Sequence, residues 1–121
     1  MADIAAKRYR HFQWEPHGTA TVVHLADPKL LNASIVSELQ DELIEFVDNS
    51  RPEILLIDFT YVTHSFTALI GCLLVVQRRL EGYGSQLKLF GMRDTVREAY
   101  LMLNLDGTVF DIRAEPSEIG V

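Results

Sequence analysis

The sequence predicts an α/β fold: a single domain with a mainly parallel or mixed sheet and helices packed on it, in the order β-β-α-β-α-β-α-β. Three observations carry this prediction. Apolar residues recur at helical spacing in three segments of helix length. These segments alternate with short runs of strand length, which indicates helices packed on a sheet. One run, Glu53-Ile54-Leu55-Leu56-Ile57-Asp58-Phe59, is almost continuously apolar, as in a strand buried on both faces. The chain has 121 residues, 48% of them apolar, which suffices for one core without disulfides or metal.

Residues 1–8 are expected to form a flexible arm and 114–121 a C-terminal tail, leaving 9–113 as the domain. From Tyr9 to Ala26 the pattern suggests two strands joined at Glu15-Pro16-His17-Gly18, where proline and glycine supply turn geometry. Asp27-Pro28 should stop the second strand. A helix then begins at Asn32 or Ser34. Ile35, Val36, Leu39, Leu43, Phe46 and Val47 share one face, and Glu38, Asp41, Glu42 and Glu45 form the solvated stripe. It should stop at Asp48-Asn49-Ser50-Arg51-Pro52.

After the apolar strand, Phe66 to Gly84 reads as a second helix, with Gly82 and Gly84 as stop signals behind a basic last turn. Gln86 to Gly91 is a short strand. Arg93 to Leu105 is a third helix, with Asp94 as its candidate N-cap and Val96, Tyr100 and Leu103 on one face. Thr108 to Ile112 closes as the last strand.

The composition narrows the function. A net charge of −6 argues against general binding to nucleic acid or to an anionic membrane, both of which need a basic surface. Cys72 is the only cysteine, so no internal disulfide can form, and its apolar setting suits a small buried hydrophobe. The first residues lack a signal-peptide core, and the apolar run from Ala68 to Val76 is too short to span a bilayer. A cytoplasmic protein is the expectation.

Enzymatic signatures are absent from the sequence. It has no Walker motif, no G-x-G-x-x-G after a strand and no serine in a G-x-S-x-G elbow. His11, His17, His24 and His64 are too scattered for a recognised metal spacing. No catalytic residue, metal or cofactor is expected. Asp58 ends the apolar strand at the edge where α/β folds place functional carboxylates. A carboxylate there can equally cap the following loop through backbone N–H groups.

The stretch Thr63-His64-Ser65-Phe66-Thr67 precedes the second helix. Each of its three hydroxyls can cap that helix by accepting from an unpaired backbone N–H. Each is also placed to carry a phosphate, because the positive end of a helix tolerates a dianion. Both readings fit the residue types.

From Glu53 to Ile112, and more loosely over the hairpin and first helix, the sequence resembles a STAS domain, the family of the bacterial anti-sigma-factor antagonists. The resemblance rests on the strand ending at Asp58, the small-residue helix start with Gly71, Gly84-Ser85-Gln86-Leu87-Lys88-Leu89-Phe90-Gly91, and the segment Val96 to Ile112. It implies a STAS-like domain over 9–113 and a non-enzymatic module for partner switching in transcription regulation. The implied partners are a serine/threonine kinase of the anti-sigma type and a phosphatase. In that family the kinase phosphorylates a D-S-S-G motif at the start of the second helix. Here Phe66 falls at the aspartate of that motif, Thr67 at the acceptor serine, Ala68 at the second serine and Leu69 at the glycine. Thr67 is therefore the candidate phosphoacceptor, with Ser65 as a second candidate. The implied partner-binding set is Asp58, His64, Ser65, Phe66, Thr67, Ala68, Leu69 and Ile70. Phe66 would be an aromatic anchor if exposed, or would pack the helix start if buried. The incomplete motif also fits a phosphorylation-independent scaffold or small-ligand-binding module in a larger signalling assembly.

Overall fold

The computed structural model describes residues 9–25, 33–64, 67–105, 107 and 109–113. The predicted arm and tail, the Asp27-Pro28 stop, Ser65 and Phe66 lie outside the described residues. The elements are β1 (Phe12–His17), β2 (Ala20–Leu25), α1 (Ala33–Ser50), β3 (Ile54–Asp58), α2 (Thr67–Gly82), β4 (Gln86–Phe90), α3 (Asp94–Met102) and β5 (Asp111–Arg113). They form one sheet in the order β1-β2-β3-β4-β5. The β1–β2 pair is antiparallel and the other three pairs are parallel. A helix joins each parallel pair, since such strands need a long crossover.

The hairpin turn is shorter than the sequence suggested. Glu15, Pro16 and His17 belong to β1, in register with Val22, Thr21 and Ala20, and the loop is Gly18-Thr19. Proline drew the prediction into the strand. It is tolerated there because β1 is an edge strand that can lack an N–H on its open side. Gly18 supplies the positive φ, +62°, that a two-residue hairpin loop needs.

Alternation along the strands divides the apolar residues between two faces. Val23, Leu25, Leu55, Ile57, Leu87, Leu89 and Ile112 join the core formed with all three helices. On the opposite face Leu56 packs with Ala20, Val22 and Phe90. This two-sided burial explains the unbroken apolar run of β3. Phe46 of α1 anchors the edge strand, with its ring 5.7 Å from Phe12 and 5.2 Å from Trp14. Glu42 of α1 accepts the backbone N–H groups of Arg10 and His11 at 2.9 and 3.0 Å, tying the approach to β1 to the same helix.

The helix ends are set by left-handed residues. Gly84 (φ +75°) closes α2 in a Schellman motif, with Gly84 N–H donating to the Glu81 carbonyl and Ser85 N–H to that of Leu80. Asn104 (φ +56°) closes α3 in the same way, through Leu101 and Tyr100. Leu103 therefore lies beyond α3 and is 56% exposed, where its spacing predicted an inward face. Asp94 is the first residue of α3 rather than its cap, which is Arg93. Its charge favours the positive helix end without a capping bond. The last strand begins at Asp111 rather than Thr108, because Val109 and Phe110 donate back to the Leu105 carbonyl in a turn.

Candidate interaction site at the start of α2

The site grows from the carboxyl end of β3. Asp58, 7% exposed, accepts from the backbone N–H of Thr60 at 2.9 Å and from the Thr60 hydroxyl through the same oxygen. Its other oxygen lies 2.6 Å from Nδ1 of His24. Asp58 is thus the anchor of the β3–α2 loop, and its burial removes it from the predicted contact surface. Gly91, at the end of β4, wedges against this anchor. A Cβ at Gly91 would lie 2.8 Å from Thr60 Oγ1 and 3.0 Å from Asp58 Oδ1, and its φ is +77°.

Along the loop, Phe59 and Val62 are buried while Tyr61 is 63% exposed. His64 is exposed, with its Nδ1 2.9 Å from the Thr63 hydroxyl. Thr67 opens α2 as its first helical residue. Thr67, Ala68 and Gly71 are exposed. Leu69 and Ile70 belong to the core, at 0% and 8% exposure, because the helical phase turns them toward the sheet. The described surface is therefore Tyr61, His64, Thr67, Ala68 and Gly71. No acidic residue stands in the first turn of α2.

Sequence reasoning missed His24, Glu15, Thr60, Gly91 and Tyr61. His24 could be found only through register, since parallel pairing of β2 with β3 sets it beside Asp58. Its Nε2 lies 3.1 Å from Glu15 Oε1 on β1. Partial burial pulls the His24 pKa down, but the hydrogen bonds and charges of Asp58 and Glu15 outweigh it, leaving the pKa above the ordinary value of 6.5.

Elsewhere, a cleft of about 420 Å³ lies beside the C-terminal half of α2, lined by Gln77, Glu81, Lys88, Val109, Asp111 and Arg113 among others. Lys88 Nζ donates to Asp111 at 2.9 Å and Arg113 Nε does so at 2.7 Å. The hydrogen bond from Lys88 holds the Asp111 carboxyl below the usual range; partial burial opposes this and Arg113 adds to it. Cys72 is buried, and desolvation pushes its thiol up to about 12, which leaves it unreactive. Among the described residues, no three His, Cys, Asp or Glu side chains converge as metal ligands. No described helix is long and apolar enough to cross a membrane.

No family model and no curated protein matches the sequence. Solved structures do match it. An anti-sigma-factor antagonist (STAS) domain protein from Planctomyces limnophilus superposes with a TM-score of 0.76 at 15% identity, covering 89% of this chain and 93% of that one. The chain has the STAS fold. The same fold links it to TM1081 of Thermotoga maritima, with a TM-score of 0.75 at 14% identity over 98% of this chain and 92% of that one. The anti-sigma factor antagonist SpoIIAA of Bacillus, in its unphosphorylated form, superposes with a TM-score of 0.71 at 18% identity, covering 89% and 91%. SpoIIAA is also similar in its phosphorylated form, with a TM-score of 0.64. At these identities the likeness establishes the STAS fold and leaves the residues of the site to be argued from their own geometry.

Proposed function

We propose that this chain is a non-enzymatic interaction module that docks a serine/threonine kinase of the anti-sigma type through the β3–α2 loop and the first turn of α2. Phosphorylation of Thr67 controls the complex and a phosphatase restores it, in partner switching that regulates transcription. The observation that carries this reading is the exposed Thr67 at the opening of α2, in a fold shared with a protein solved both with and without phosphate.

The chemistry supports a switch there. A phosphate adds about −1.5 to −2 charge units and three acceptor oxygens. The positive end of α2 and the lack of an acid in its first turn let the domain carry that charge without unfolding. A partner fitted to a small neutral surface at Thr67, Ala68 and Gly71 would have to desolvate the dianion, which opposes docking. Tyr61, 63% exposed on the loop that leads into α2, offers the aromatic anchor that dominates many interfaces. Tyr61→Ala is expected to weaken the complex about tenfold or more, with a stability change within about 0.5 kcal/mol. Calorimetric titration and thermal melts of the same sample check both halves.

The modification itself is tested by intact-mass measurement after incubation with ATP and the kinase recovered from the source cell. One phosphate on the wild type and none on Thr67→Val is the expected result. A phosphate retained on Thr67→Val would move the acceptor to Ser65. No phosphate on the wild type would overturn the switch and leave constitutive docking.

A further inference from the structure

His24 sits in a row that crosses the sheet from Gln13 through His24, Asp58 and Phe90 to Arg113. Each of its ring nitrogens meets a carboxylate oxygen, Nδ1 with Asp58 at 2.6 Å and Nε2 with Glu15 at 3.1 Å. An ionised carboxylate only accepts hydrogen bonds, and a neutral imidazole has only one N–H to give. Both contacts are satisfied together only when the ring is the imidazolium. We propose that His24 is a proton-operated clasp: protonated, it ties the Glu15 side chain of the edge strand β1 to the end of β3 that anchors the β3–α2 loop, and on losing its proton it lets that side chain go while the β1–β2 ladder stays in place.

The order of release follows from geometry. The Asp58 contact is shorter and its side chain is 8% exposed, against 63% for Glu15. The neutral ring therefore keeps its proton on Nδ1, facing Asp58. The Nε2 lone pair is then turned toward the Glu15 carboxylate, which repels it, and the exposed Glu15 side chain swings into water. Asp58 is left with a neutral partner, so its Thr60 hydrogen bonds carry its charge alone. The charged groups facing the ring among the described residues are Glu15 on β1 and Asp58 on β3. Beyond Asp58, past Phe90 of β4, Arg113 of β5 gives its Nε to Asp111. The three helices pack on the other face.

The sign is fixed by the raised pKa. The clasp's contribution to stability is fully present below the unfolded value of 6.5 and is lost as pH rises through the folded-state pKa. The proposal concerns the fold of this chain and stands whatever partner docks on the loop.

Ring ¹⁵N spectra of His24, recorded from about pH 5.5 to 9 alongside backbone amide spectra, test it. We expect both ring nitrogens protonated at the acid end, a midpoint above that of free histidine, and an Nδ1–H tautomer at the basic end. The Thr60 amide should shift with the same midpoint. Glu15→Gln alters an exposed side chain and should lower the midpoint while keeping the Nδ1–H tautomer. A midpoint at or below that of free histidine, a neutral Nε2–H tautomer, or a Thr60 amide that ignores the His24 titration would overturn the clasp. So would an unchanged midpoint in Glu15→Gln.

Discussion

Asp58→Ala is expected to destabilise the domain by about 3 kcal/mol, lowering its melting temperature by roughly 12 °C for a chain of this size. The carboxylate is 7% exposed and serves three partners: the Thr60 N–H, the Thr60 hydroxyl and His24. Alanine removes both acceptor oxygens and leaves the three donors in place. A hydrogen bond to a charged group contributes about 1.5–3 kcal/mol, and less where the donor, as on Thr60, is exposed to water. Losing the charged partner of the half-buried His24 adds to that. The Thr60 amide should also lose hydrogen-exchange protection, because its acceptor is gone. Asp58→Asn, which keeps the shape and one acceptor oxygen, should lose less. If Asp58→Ala melted within about 2 °C of the wild type, on the same scaling, the carboxylate would not be the anchor of the loop.

Gly91→Ala is the second large effect, at about 2–4 kcal/mol. Two causes combine at this position. The backbone is left-handed (φ +77°), which an L side chain adopts at a cost of about 1–2 kcal/mol. The new methyl would also press within 2.8 Å of the Thr60 hydroxyl. That hydroxyl cannot rotate away without giving up Asp58. The second cause makes the variants non-additive: in Thr60→Ala/Gly91→Ala the loss should fall short of the sum of the single variants, because the closest contact is gone and only that with Asp58 Oδ1 at 3.0 Å remains. Denaturant melts of the four proteins check this. A strictly additive pair would leave the penalty to the backbone angle and the Asp58 contact.

Most of the architecture was legible because it depends on local period. The inward face of α1 is Val36, Leu39, Leu43, Phe46 and Val47, all within the predicted set. The continuous apolar run of β3 matches its burial on both faces. The departures come where a local signal has two meanings. Pro16 reads as a turn but is admissible on an edge strand, and Asn104 ends α3 by adopting a left-handed angle that its sequence neighbourhood does not announce. The site was legible only in outline. Asp58 and Thr67 could be picked from their positions at a strand end and a helix start. The division of Thr67 to Ile70 into exposed and buried pairs needed the helical phase. His24, Glu15 and Gly91 meet Asp58 through strand register and a crossing loop, and no spacing along the chain encodes those contacts.

The central claim is that the exposed start of α2 docks a kinase-type partner and that charge at Thr67 controls the docking. Its most direct test is isothermal titration of that kinase with the wild type, Thr67→Val and Thr67→Glu, after melts have confirmed that all three are folded. Thr67→Val should bind like the wild type, and Thr67→Glu should bind about tenfold or more weakly. Equal affinity for all three proteins would contradict the claim.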